Sequence, residues 1–132
     1  RRWLLRHNPI SRQPVLGYAG MWLLVDDGHI ATIAVHPHWR GQGLGELLIL
    51  SLLEQAKQRG ARRATLEVRV TNLVAQELYR HVGFETVSRR RHYYADNNED
   101  AYIMSTPDFE EPGFWENVKQ RRARLHARHH LA

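Results

Sequence analysis

Between Ile30 and Leu52 the chain passes from an apolar strand, through a loop rich in glycine, into a long apolar helix. The strand, Ile30 to Val35, ends at a loop set by Pro37. That loop delivers Arg40, Gly41, Gln42, Gly43, Leu44 and Gly45, and the helix begins at once. Glycines between a strand and a helix leave backbone N–H groups bare and let an anion come close. The first helical turn adds N–H groups without intrahelical partners and a partial positive charge. Arg40 stands at the mouth as a further donor to phosphate oxygens. Spacing narrows the ligand. A Walker loop ends in Gly-Lys-Ser/Thr, whereas Gly45 is followed by Glu46 and Leu47. A Gly-x-Gly-x-x-Gly dinucleotide fingerprint fits Gly41 and Gly43, but Glu46 stands where its third glycine belongs. Arg-x-x-Gly-x-Gly remains, from Arg40 to Gly45. The plain alternative is a glycine turn that only starts a helix.

A chain of 132 residues buries one core. It has no run of eighteen apolar residues and no signal-peptide pattern, so no membrane partner is expected. The absence of cysteine excludes disulfides, thiolate metal sites and a cysteine nucleophile. The cytoplasm is the expected compartment, and a start at Arg1 rather than Met reads as an interior start. Of the 19 Lys/Arg residues, Lys119, Arg121, Arg122, Arg124 and Arg128 follow Gly113, with Glu116 the only acid there. A basic tail suits nucleic acid or acidic surfaces, or serves equally as a solvated helix.

Trp3 to Arg6 reads as a short strand. Leu16 to Val25 and His29 to Val35 read as strands joined by a turn at Asp26-Asp27-Gly28. Leu44 to Arg59 is a helix with Leu44, Leu47, Leu48 and Leu52 on one stripe and Gly60 as its stop. From Ala64 to Val70 the pattern alternates, with Thr65, Glu67 and Arg69 on one face. Asn72 to His81 is a second helix, its inward residues Val74, Ala75, Leu78, Tyr79 and Val82. Phe84 to Tyr94 and Asp100 to Ser105 read as strands. After Pro107, Pro112 and Gly113, a last helix carries Phe114, Val118 and Leu125 on one face. This order predicts an α/β layout with a mixed sheet, a parallel pair around the first helix, and a ligand beyond the carboxyl ends of that pair.

The Arg40–Gly45 loop resembles the acetyl-CoA pyrophosphate loop of the GNAT acetyltransferases. Leu66-Glu67-Val68-Arg69, then Asn72, then Ala75 to Phe84 resemble the second half of that family's core. Arg89 to Tyr94 and Glu99 to Met104 are similar to one branch, the bacterial enzymes that acetylate the N-terminal alanine of a ribosomal protein. The likeness runs in register over about residues 15 to 105. It implies a GNAT-like mixed central sheet flanked by helices, without the family's usual N-terminal strand and helix pair, which form one wall of its acceptor site. It also implies a GNAT domain over residues 1–106 and a basic, partly helical extension over residues 107–132.

The resemblance further implies a reaction in which a protein N-terminal α-amine takes an acetyl group from acetyl-CoA, without a metal. Glu67 is then the general base and Tyr79 the acid for the leaving sulfur. Ile33, Ala34, Val35, Arg40, Gly41, Gln42, Gly43, Leu44, Gly45, Glu46 and Asn72 hold acetyl-CoA, with a β-strand N–H near Val35 polarising the thioester carbonyl. Tyr93 and Tyr94 border the acceptor peptide. The basic tail extends beyond the family's usual core, and its charge suits ribosomal RNA as well as a solvated helix. The residues taken alone leave plainer roles open. Glu67 interrupts an apolar strand and would equally face solvent beside Arg69 or Arg63; Tyr79 would equally be a core tyrosine, and Tyr93 and Tyr94 cross-strand packing. A lysine side chain or a small-molecule amine is the alternative acceptor. Freeing a proton at pH 7 costs about 1.4 kcal/mol for an α-amine near pKa 8 and about 4.6 for lysine, which favours the α-amine for a carboxylate base. His36 and His38 flank the loop as supporting residues. His126, His129 and His130 lack an acidic partner nearby, so no metal is expected.

Overall fold

The computed structural model describes residues 2–6, 15–35, 40–41 and 43–129. Gln42, His36, His38 and His130 lie outside the described residues. The chain order is β1 (Arg2–Arg6), β2 (Val15–Leu24), β3 (Asp27–Val35), α1 (Leu44–Gln58), β4 (Arg63–Arg69), α2 (Leu73–Val82), β5 (Glu85–Arg90), β6 (Ala101–Ser105) and α3 (Phe114–His129). The strands form one sheet in the order β1-β2-β3-β4-β6-β5. Among the described residues, β3 and β4 are the one parallel neighbouring pair: α1 carries the chain back to the same end and sets β4 directly beside β3, whereas α2 carries it from β4 to β5 with β6 lying between them.

Alternation decides which face of the sheet is covered. In β4, Ala64, Leu66 and Val68 are buried, while Thr65, Glu67 and Arg69 on the opposite face are partly exposed. Ala19, Met21 and Ile30 join the buried face from β2 and β3. Helix α1 lies over it with Leu47, Leu48, Ile49, Leu50, Leu52, Leu53 and Ala56 all buried. Four of these, Ile49, Leu50, Leu53 and Ala56, fall outside the stripe expected from the sequence. They are covered because α1 is packed by neighbours on more than one side, including α2 and α3.

The β2–β3 turn is one residue earlier than its sequence signal. Leu24 pairs with Asp27, so Val25 and Asp26 make the turn and Gly28 already belongs to the strand. Gly28 serves packing instead: a Cβ there would stand 2.9 Å from the Ala56 Cβ and 3.0 Å from the Met21 sulfur. Val74 was expected inward but is 85% exposed, and buried Gln76 takes the inward position. The reason is chemical. The Gln76 amide donates to the Arg69 and Val70 carbonyls at 3.0 Å each and ties α2 to the end of β4. Strand β5 ends at Arg90, ahead of the expected Tyr94, and residues 91–100 form a loop.

Phe114, Val118 and Leu125 are buried in the same cluster as α1 and β4. Phe109, Phe114 and Trp115 pack ring to ring with centroids 5.1–5.7 Å apart. Arg121 pairs with Glu46 at 3.6 Å and Arg122 with Glu54 at 2.6 Å, so part of the basic charge of α3 is neutralised on α1.

Candidate active site

The parallel pair is short, and that shapes the site. β3 and β4 pair only from Asp27–Arg63 to Ile30–Leu66. Beyond this point β3 stays with β2 as far as Val35–Gly17, and β4 stays with β6 as far as Arg69–Ala101. Among the described residues, Ile33, Ala34 and Val35 therefore have no strand partner on the β4 side. Backbone N–H and C=O groups left unpaired along such an edge are available to an extended ligand.

The glycine loop opens at the end of this edge. Gly41 (φ 77°) and Gly43 (φ 84°) take left-handed backbone conformations that side chains disfavour. A Cβ at Gly41 would meet nothing within 4 Å, so its glycine serves conformation rather than space. Gly43 caps α1 without any side-chain hydrogen bond, which leaves the first-turn amides at Leu44, Gly45 and Glu46 without a side-chain cap. The Arg40 Nε donates to the Val35 carbonyl at 3.3 Å, which holds the guanidinium at the strand end. Bare amides, a helix N-terminus and an arginine together suit a pyrophosphate.

Glu67 projects from the other wall, on the face of β4 away from α1. Its side chain is 18% exposed. The carboxylate is not paired with Arg63 or Arg69: Arg63 bonds Asp27, and Arg69 turns toward the loop after β5. Instead Glu67 Oε2 lies 2.8 Å from His29 Nε2, and Oε1 accepts the Tyr93 hydroxyl at 3.2 Å. His29 Nδ1 lies 3.0 Å from the Thr65 hydroxyl. With Nε2–H donated to the carboxylate, Nδ1 of a neutral ring accepts from Thr65. His29 escaped the sequence reading because nothing in the chain itself sets the register His29–Thr65 across a parallel pair.

Tyr79, on α2, packs against the core with its ring 6.0 Å from that of Phe84. Burial, and then the neighbouring Tyr94, push its phenol above the usual value, so it is kept as a proton donor. Tyr93 and Tyr94 meet edge to face at 5.0 Å in the loop beside Glu67. Burial first, then the Glu67 carboxylate, raise the Tyr93 phenol as well. Asn72 does something the sequence reading did not assign: it caps α2, its side-chain oxygen accepting the Ala75 N–H at 3.1 Å. The structure thus brings Glu67, Tyr93 and Tyr94 together, adds His29, and sets the glycine loop at the far end of an open strand edge. Among the described residues, no group of three or more His, Asp or Glu side chains is arranged to hold a metal ion.

A model of the acetyltransferase (GNAT) family matches residues 2–84. A Bacillus subtilis protein named as a putative ribosomal protein bS18-alanine N-acetyltransferase is 50% identical over 88 residues, which are 67% of this chain and 58% of that one. The crystal structure of the ribosomal-protein-S18-alanine N-acetyltransferase from Escherichia coli matches with a TM-score of 0.67 at 35% identity, covering 74% of this chain and 64% of that one. The NatC complex bound to Gag peptide and CoA matches with a TM-score of 0.70 at 25% identity, covering 80% and 70%. The chain spans a little under three fifths of the length of the Bacillus relative.

Proposed function

Because this chain belongs to the acetyltransferase (GNAT) family, we propose that it transfers an acetyl group from acetyl-CoA to the N-terminal α-amine of a protein. The acceptor of this reading is a ribosomal protein that begins with alanine, as the names of its relatives suggest. The observation that carries it is Glu67, held between His29 and Tyr93 on the wall of the wedge between β3 and β4.

The donor runs along the wedge. Its pyrophosphate rests on the Arg40–Gly45 loop and the first turn of α1, including Glu46. Its pantetheine arm follows Ile33, Ala34 and Val35, with Asn72 near it on α2. Glu67 takes a proton from the acceptor ammonium group, with His29 stabilising the carboxylate. The freed nitrogen attacks the thioester carbonyl, polarised by a β3 N–H near Val35, and the C–S bond breaks. The CoA sulfur leaves with the bonding pair and receives the Tyr79 proton, and the second proton lost by the acetylated nitrogen restores the Tyr79 phenol through solvent. Tyr93 and Tyr94 hold the first residues of the acceptor. A carboxylate base suits an α-amine better than lysine, whose proton is about 2.4 units harder to remove.

Lys119 and Arg124 on α3 are exposed, and RNA phosphate at the ribosome is the partner we assign to them. Among the described residues no helix is long and apolar enough to cross a membrane, and a cytoplasmic site of action accords with that acceptor.

The test is acceptor choice. Free thiol released from acetyl-CoA is followed with peptides beginning in Ala, Ser or Met, with an amino-blocked peptide, and with a blocked peptide carrying lysine. Turnover confined to free α-amines is expected. Turnover on the blocked lysine peptide would replace the proposal with a side-chain acetyltransferase.

A further inference from the structure

One arginine outside every role assigned so far anchors the acceptor side of the site. Arg69 stands two residues beyond Glu67 on the same face of β4. Its guanidinium donates to both carboxylate oxygens of Asp96, at 3.3 and 3.0 Å, in a two-pronged pair. It also reaches Asn97 Oδ1 and Glu99 Oε1, each at 3.2 Å. Its central carbon lies 3.9 Å from the centre of the Tyr94 ring. Tyr94 meets Tyr93 edge-on, and the Tyr93 hydroxyl donates to Glu67. The contacts therefore run from Arg69 through Tyr94 and Tyr93 to Glu67, a circuit that begins and ends on one strand. Glu99 is held from the other side by the N–H and hydroxyl of Thr71.

The loop that carries these groups takes conformations a chain does not adopt freely. His92 (φ 52°) and Asn98 (φ 60°) both sit in the left-handed region. Such residues persist where surrounding contacts over-determine them. Asp100 binds the His92 N–H at 2.9 Å at one end, and Arg69 gathers Asp96, Asn97 and Glu99 at the other.

We infer that Arg69 is a positioning residue for acceptor recognition: it fixes the 91–100 loop so that the Tyr93 hydroxyl rests on Glu67, in the place the acceptor amine takes over. This rests on the reading of Glu67 as the base. One oxygen of Glu67 is engaged by His29 and the other by Tyr93, so an incoming amine that takes the Tyr93 side of the carboxylate competes with the Tyr93 hydroxyl. A charged ammonium displaces a neutral phenol because charge-assisted hydrogen bonds are the stronger kind. The released hydroxyl, still anchored through Tyr94, then serves the first peptide group of the acceptor. Lysine would not replace Arg69, since the task needs a planar fork and a face that stacks on an aromatic ring.

The test compares Arg69→Met and Arg69→Lys with the parent chain, each with and without Tyr93→Phe. Both Arg69 variants are expected to raise the acceptor KM about tenfold, as for loss of a charge-assisted contact. The dissociation constant of acetyl-CoA should stay within about twofold, and the Arg69 effect should largely vanish in the Tyr93→Phe background, as coupled residues do. Fully additive effects, or equal losses in acetyl-CoA and acceptor affinity, would overturn the inference. Amide hydrogen exchange over residues 91–100 decides the anchoring without any turnover. Faster exchange in Arg69→Met supports it, and unchanged exchange overturns it. If the parent chain acetylates no peptide, the functional proposal fails separately.

Discussion

At the scale of single residues, two tyrosines have different work: Tyr93 donates to Glu67, while Tyr79 packs against the core from α2. Tyr79 is raised by burial, so its phenol keeps its proton through the range in which an α-amine titrates. An acid of this kind puts no falling limb on kcat below about pH 10. Tyr79→Phe is expected to lower kcat by a hundredfold or more with little change in acetyl-CoA affinity. Steady-state kinetics from pH 6 to 10 on both forms checks this, and an unchanged kcat would return Tyr79 to an ordinary core role. Glu67 was legible as a candidate because a carboxylate interrupting an apolar strand needs a reason. Its partners were not legible. The nearby arginines in sequence, Arg63 and Arg69, are engaged elsewhere, and the true partners come from β3 and from a loop 26 residues further on. His29 is such a partner: an unremarked strand residue until the parallel register sets it beside Thr65.

At the scale of elements, the strand–loop–helix unit was readable because local rules determine it: strand pattern, glycines with positive φ, and a leucine stripe all agree. The β2–β3 turn was misread by one residue for an equally physical reason. Asp-Gly is a strong turn signal in isolation, but Gly28 is spent on the close approach of Ala56 and Met21. Gly28→Val is therefore expected to destabilise by overpacking, about 1–3 kcal/mol, although a turn glycine of the expected kind would be harmed through its backbone instead. Helix α3 makes a complementary prediction. Leu125 is 4% exposed, and Leu125→Ala should cost about 2–5 kcal/mol in urea unfolding if α3 belongs to the cooperative core. A change below 0.5 kcal/mol, the size typical of surface sites, would mean that α3 unfolds independently.

At the scale of the whole molecule, acid stability follows from three hydrogen-bonded carboxylates whose pKa values are depressed. Glu99 is lowered chiefly by the Thr71 hydroxyl, Asp100 by the His92 N–H and then Arg89, and Asp108 by the Glu110 N–H and then Arg62. A depressed folded value means that the unfolded chain binds more protons, so these groups contribute stability above about pH 4 and lose it as pH falls further. Calorimetry should find Tm falling steadily from pH 5 to pH 3, less steeply for Glu99→Gln. A Tm independent of pH in that window would contradict the network. The central claim, however, is that Glu67 takes the proton from an acceptor α-amine. The most direct measurement is kcat/KM of Glu67→Gln and the parent chain on a peptide beginning with alanine, at saturating acetyl-CoA. A loss of about a hundred- to ten-thousand-fold is predicted; activity within threefold of the parent would contradict the account.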